Sequence, residues 1–159
     1  MAKTIGRHKG RLDAAVALGQ SIRRRIEALN PPMDDLCART CPSCADPCCA
    51  HAKVWYDFKD LVYLHFGAPS IPPGQVIDSL DHTCRYLKAA GCTLPRVQRP
   101  FVCTWYLCAA QKARMNDLSN SRVQFIHNSL EALKSGRRRL ECIYLGAIIR
   151  DGRWRSTFA

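Results

Sequence analysis

Five thiols lie within thirteen residues, in the run Cys37-Ala-Arg-Thr-Cys41-Pro-Ser-Cys44-Ala-Asp-Pro-Cys48-Cys49. No other feature limits the fold as strongly. Clustered thiols are reduced, cross-linked or metal-bound, and each state demands a different chain around them. Cys84, Cys92, Cys103 and Cys108 follow, so nine of the 10 cysteines fall between residues 37 and 108. The same stretch carries Pro42, Pro47, Pro69, Pro72, Pro73, Pro95 and Pro100. Chain broken this often by proline forms loops and short helices, and no stretch alternates as a strand should.

The surroundings of the thiols argue against disulfides. Ten cysteines in 159 residues is below the roughly 8–10% of small disulfide scaffolds. The start, Met1-Ala2-Lys3-Thr4-Ile5-Gly6-Arg7-His8-Lys9, does not read as a signal peptide, and the apolar stretch Ala14–Gly19 is short and follows Asp13. These features predict a cytoplasmic chain whose thiols stay reduced, where clustered cysteines bind metal or act in catalysis. Seven Lys/Arg against one Asp in the first 25 residues also fit an organellar transit peptide. No run approaches the roughly 18 apolar residues of a membrane span, so no membrane partner is expected.

Cys41-x2-Cys44 has the spacing of a metal knuckle, in which two intervening residues let both sulfurs converge on one ion. Cys48 and Cys49 are adjacent, and in extended backbone such neighbours point to opposite faces. They then serve two metals, or one is a ligand while the other packs. One zinc needs four ligands. The surplus suggests an iron–sulfur cluster, more than one metal, or a site with structural extras.

The order of the cysteines resembles the YkgJ-like cysteine-cluster family, described as a zinc- or iron-chelating domain with a CxxCxxCC motif. Cys41, Cys44, Cys48 and Cys49 resemble that motif. Cys84 and Cys92 resemble the next two cysteines, and Arg99-Pro100-Phe101-Val102-Cys103 is similar to the Arg-Pro-x-x-Cys segment. The resemblance covers residues 41–108 and implies a metal held by these seven cysteines. Three residues, Ala45-Asp46-Pro47, separate Cys44 from Cys48 where the family has two, which changes the register of the first loop. Cys37, Cys108 and Cys142 lie outside the pattern. Cys37, Cys108, His51 and His82 are additional candidate ligands, whereas Cys142 falls in an apolar helix pattern and reads as core.

The expected architecture is a single, mostly α domain over residues 1–159, with a small irregular metal-stapled cysteine-rich centre flanked by N- and C-terminal helices. Residues 1–10 read as a basic arm. Residues 11–32 read as an N-terminal helix carrying Leu12, Val16, Ile22, Ile26 and Leu29 and stopped by Asn30-Pro31-Pro32. Residues 33–108 form the cysteine-rich core, with a helix from Asp57 to Phe66 presenting Phe58, Leu61, Val62 and His65, and a weaker one from Gly74 to Leu87. Residues 109–159 form a helical segment with a basic tail. Asn120 or Ser121 caps a first helix that stops near Ser135-Gly136, and Leu140, Ile143, Tyr144, Ala147 and Ile148 mark a second.

The net charge of +11 concentrates at the two ends, in Arg23-Arg24-Arg25 and Arg137-Arg138-Arg139. Such runs read as solvated helix faces, or as contacts to phosphate or an acidic protein. Trp55, Tyr56, Phe58, Tyr63, Trp105 and Tyr106 flank the thiols as core or as a shield for a cluster. Arg99 is expected to bond a cluster sulfide or a carbonyl, with Pro100 fixing the turn before Cys103. The acidic pairs Asp34-Asp35 and Asp57/Asp60 read as caps or solvated faces. No phosphate loop, HExxH or Gly-x-Ser-x-Gly occurs.

Three functions follow as expectations. The preferred one is a metal-binding protein holding an iron–sulfur cluster, with a redox or accessory role beside a protein partner. The first alternative is a zinc-organised binding module whose basic termini contact nucleic acid or an acidic protein, nucleic acid being disfavoured because the aromatic residues lie away from the basic runs. The second is a metal-dependent enzyme of unknown substrate and unknown catalytic residues.

Overall fold

The computed structural model describes residues 1, 5, 10, 12–88 and 91–149. Most of the basic arm and all of the tail beyond residue 149 lie outside them. The chain is mostly helical, and its cysteine-rich centre sits between two long helices, as the sequence predicts. Helix α1 spans Asp13–Thr40, α2 Cys48–His51, α3 Phe58–Phe66, α4 Val102–Trp105, α5 Ala109–Met115 and α6 Asn120–Ile149. Strands β1 (Leu87–Lys88) and β2 (Gly91–Cys92) form a minimal antiparallel hairpin, with Leu87 opposite Cys92 and Lys88 opposite Gly91. Gly91 has a positive φ of 103°, a conformation glycine adopts without steric cost.

The two long helices share one seam. Helix α1 buries Ala15, Gly19, Ile22, Ile26, Leu29, Met33 and Leu36. Helix α6 buries Ile126, Ser129, Leu133, Arg137, Leu140, Tyr144 and Ala147. Both series advance in steps of three and four residues, strictly alternating in α1, the repeat that keeps one stripe of a helix facing a partner. Gln111 reaches Cys37 at the C-terminal end of α1, whereas Gly136 faces Ile22 near the other end. Helix α6, which follows α5 closely, therefore runs back antiparallel to α1.

This seam overrides two expected helix stops. Helix α1 is 28 residues long and continues through Pro31 and Pro32 to Thr40. The two prolines lack the N–H groups that would bond the carbonyls of Glu27 and Ala28. Burial of Leu29, Met33 and Leu36 in the same stripe carries the helix past that loss. Likewise α6 is one 30-residue helix rather than two. Gly136 does not end it: a Cβ there would sit 3.2 Å from Ile22 Cγ1, so the missing side chain lets the helices approach. Val16, expected in the apolar face, is exposed, and Ala15 takes that place.

Helix α3 matches its expected span, with a capping box at its start. Asp57 accepts from the Asp60 N–H at 2.7 Å, and the Asp60 side chain accepts from the Asp57 N–H at 3.0 Å. Its buried face differs from the expected one, with Asp60, Val62, Tyr63, Leu64 and Phe66 inside and Phe58 exposed. Gly19 of α1 lies against the end of α3, where a Cβ would meet the Phe66 carbonyl carbon at 2.6 Å. Residues 74–86, expected to hold a weak helix, form turns and bends. Arg85 N–H bonds Val76 carbonyl at 2.9 Å and ties this loop to the hairpin. Tyr56, Leu64, Val76 and Leu94 make a second, smaller apolar cluster, with Cys84 and Cys92 packed against it.

Candidate metal centre

The hairpin sets the first thiols. Thr93 N–H bonds Tyr86 carbonyl at 2.9 Å, extending the β1–β2 pairing and holding the segments of Cys84 and Cys92 side by side. Both cysteines are half-buried. Cys92 Sγ points to Leu94 carbonyl at 3.9 Å. Arg99 Nε donates to the same carbonyl at 2.7 Å, so Arg99 takes the carbonyl role of the two expected for it.

Cys103 is set by the turn after Pro100. Its N–H bonds the Pro100 carbonyl at 2.9 Å, and Phe101 N–H bonds Asp60 Oδ1 at 2.9 Å. Burial pushes the Cys103 thiol up to about 12; the charge of an ionised Cys92 adds to this, and nearby Arg99 opposes it. Tyr56, whose hydroxyl donates to Gln98 carbonyl at 2.8 Å, stands beside Cys84 and Cys103.

Cys41, Cys44, Cys48 and Cys49 are exposed. Cys41 caps the C-terminus of α1, its N–H bonding Cys37 carbonyl at 2.8 Å. Pro42 to Pro47 make an exposed turn. The backbone at Cys48 and Cys49 is helical, not extended, so the two thiols diverge by about a hundred degrees rather than half a turn. Although much of Cys49 is exposed, its thiol is pushed up to about 12. Lost hydration is the largest cause, followed by the charges of Cys48, Cys103 and Cys92 when ionised. The Cys41 thiol is also raised, by lost hydration, then by Cys37, with a smaller push from Cys48. The candidate thiols thus fall into two electrostatic neighbourhoods: Cys49 is influenced by Cys92 and Cys103, and Cys103 by Cys84, while Cys41 is influenced by Cys37 and shares the Gln111 amide with it. Cys48 acts on both Cys49 and Cys41.

Cys108 lies at the N-terminus of α5, where its sulfur accepts the Gln111 N–H and its own N–H donates to Gln111 Oε1 at 3.2 Å. It serves as a helix cap. His51 pairs with Asp46 at 2.5 Å, both exposed. His82 is exposed, and its carbonyl accepts from Lys53 Nζ at 3.4 Å. Among the described residues, neither histidine joins two further candidate ligands in one group. Cys142, expected in the core, is exposed. Leu140 and Tyr144 take the buried stripe of α6, and Cys142 sits two residues, about 200°, round the helix from Leu140.

Of the flanking aromatics, Tyr56 and Tyr63 are buried, whereas Trp55, Phe58, Trp105 and Tyr106 are exposed. The donor set suits a soft metal, since thiolates select zinc, copper(I) and iron–sulfur clusters. Among the described residues, however, no three His, Cys, Asp or Glu side chains stand where they share one ion. The thiols approach one another without forming a closed site, and the open element is the exposed loop of residues 41–49.

Sequence reasoning did not foresee two buried, ion-paired arginines. Arg96 holds Asp34, and Arg137 holds Asp57 and Asp60. Arg137 lies in a basic run that reads as solvated, yet it is buried, while Arg138 and Arg139 are exposed. Its place in the four-three stripe between Leu133 and Leu140 was the available signal. No family model, curated protein or solved structure matches the chain.

Proposed function

We propose that the chain is a metal-binding protein in which Cys49, Cys84, Cys92 and Cys103 hold an iron–sulfur cluster, with a redox or accessory role beside a protein partner. One observation carries the reading: Cys49, Cys92 and Cys103 come from three separate segments and lie near enough for charge on one to act on another. Cys84, packed with Cys92 on the second apolar cluster, completes a set of four thiols, the number a cubane takes. These four are among the seven cysteines that the resemblance to a metal-chelating family implies as ligands. Closure of the loop of residues 42–49, which carries Cys49, is part of the proposal, because metal sites seldom exist fully formed before the metal binds. The cluster would supply electron transfer or a staple. The chain's own residues supply the thiols, the Arg99 cation near Cys103 and the apolar wall of Tyr56, Leu64, Val76 and Leu94.

Elemental analysis and absorption of anaerobically purified protein test this. Iron with a broad band near ~400 nm is expected, falling in Cys92→Ser and Cys103→Ser but unchanged in Cys142→Ser. Protein that binds neither iron nor zinc would overturn the reading.

A colourless, zinc-loaded protein would favour the second reading, a zinc-organised module that grips phosphate or an acidic protein. Its support is the exposure of Arg24 and Arg25 on α1 and of Arg138 and Arg139 on α6. Steep salt dependence of nucleic-acid binding would be its mark.

A further inference from the structure

Two buried side chains bring N–H groups to sulfur. Gln111 is 6% exposed. Its Oε1 accepts the Cys108 N–H, which turns its amide so that Nε2 donates to Cys37 Sγ at 3.4 Å and to Cys41 Sγ at 3.9 Å. The Arg96 side chain, 3% exposed, bonds Asp34 through Nη2 and through Nε at 3.1 Å, and Nη2 also reaches Cys37 Sγ, 3.9 Å away. A neutral thiol is a weak acceptor. Ending a buried amide on it satisfies that donor poorly. A thiolate, free or metal-bound, is a charged acceptor, and such donors are what its outer shell requires.

We propose that Cys37 and Cys41 form a second thiolate centre, separate from the Cys49, Cys84, Cys92 and Cys103 set, that binds a soft two-coordinate cation of the copper(I) class. Helix α1 places the two residues four apart, on one face in successive turns. Both sulfurs lie within reach of the same Gln111 Nε2. Ligand number selects the ion. Zinc would need four donors, and among the described residues no third Cys, His, Asp or Glu joins this pair. Copper(I) prefers thiolates and is content with two. On binding, each thiol releases its proton to solvent, and no electron moves. Two thiolates around one monovalent cation leave one negative charge, which faces Arg96 and the Gln111 amide. Filling this centre does not require the other to be filled.

The test is an anaerobic copper(I) titration of the full-length chain against a competing chelator, with iron and zinc counted in parallel. One tightly held copper(I) is expected in wild type and in Cys92→Ser/Cys103→Ser. In Cys37→Ser it should be lost while iron and zinc content stays at the wild-type level. Gln111→Leu, which keeps both sulfurs, should weaken it about tenfold. Unchanged copper(I) stoichiometry and affinity in Cys37→Ser would overturn the proposal. So would a Cys37–Cys41 disulfide in the peptide map of the anaerobic protein. Circular dichroism checks the fold of Cys37→Ser; should that variant unfold, unchanged affinity in Gln111→Leu overturns the proposal and the tenfold loss supports it. Failure of the iron–sulfur reading would instead appear as wild-type protein without iron, whatever the copper count.

Discussion

The guanidinium of Arg137, 6% exposed, donates to the carboxylate of Asp60, 7% exposed, across 77 residues of sequence. It joins α6 to α3 at the point where α3 begins. Arg137 also lies over the Phe101 ring, 4.4 Å from its centroid, and Asp60 accepts the Phe101 N–H. The pair therefore fixes the turn that presents Cys103, two residues on. Removing the cation alone strands a buried carboxylate. Arg137→Met is expected to cost about 3–5 kcal/mol of stability, the range for breaking a buried pair from one side. Pairing it with Asp60→Asn should recover a large part of that loss. Denaturant unfolding of the two single variants and the double variant measures the coupling.

The same carboxylate makes stability depend on pH. Burial, the largest cause, pushes Asp60 up to about 6 from 3.8; Asp57 adds to the rise, while Arg137 and two backbone N–H bonds oppose it. The folded chain then holds this proton more tightly than the unfolded one. Its contribution to stability is present at low pH and falls as pH rises from about 4 to about 6. Asp60→Asn should remove that component, so the wild-type minus variant difference in unfolding free energy should decline across this window and be flat above it. A difference that rises with pH would mean the carboxylate is held in its charged form.

Three glycines of the long helices separate packing from propensity. A Cβ added at Gly146 would meet open space, one at Gly136 would meet Ile22 at 3.2 Å, and one at Gly19 would meet the Phe66 backbone at 2.6 Å. Gly→Ala in an open helical site gains roughly 0.5–1 kcal/mol. Gly146→Ala should therefore stabilise and Gly136→Ala should stay near neutral, since Ile22 must yield by a few tenths of an ångström. Gly19→Ala should cost about 1–3 kcal/mol as an overpacked site. Thermal unfolding ranks the three.

The elements that the sequence disclosed were those governed by local chemistry. Asp57 and Asp60 at cap spacing marked the start of α3, and the ordered cysteines marked the centre. The long helices were misjudged because Pro31, Pro32 and Gly136 are strong local stops, whereas the stripe that overrides them is a tertiary fact. That stripe was present in the spacing of Ile22, Ile26, Leu29, Met33 and Leu36, read at a period of 3.5 rather than segment by segment. Arg137 was hidden for the same reason, since a run of three arginines looks uniform until the helix turns one of them inward. The division of the thiols into two neighbourhoods had no sequence signal. It depends on Cys48 and Cys49 starting a helical turn, and on Gln111, 74 residues from Cys37, reaching its sulfur.

Metal removal should act on the loop before it acts on the helices. Residues 41–49 are exposed throughout, with few backbone bonds beyond Cys44 N–H to Cys41 carbonyl at 3.2 Å. Such a segment opens at little cost unless a ligand closes it. Metal held as proposed would tie Cys49 to Cys84, Cys92 and Cys103 and draw the loop inward. Proteolytic cleavage within residues 42–47 and alkylation of Cys49 should both be slow. A chelator should accelerate each severalfold. The α1–α6 seam contains no thiol, so far-ultraviolet circular dichroism should change little while the loop becomes cleavable. Helical signal lost in step with loop cleavage would mean that the metal holds the two long helices together as well.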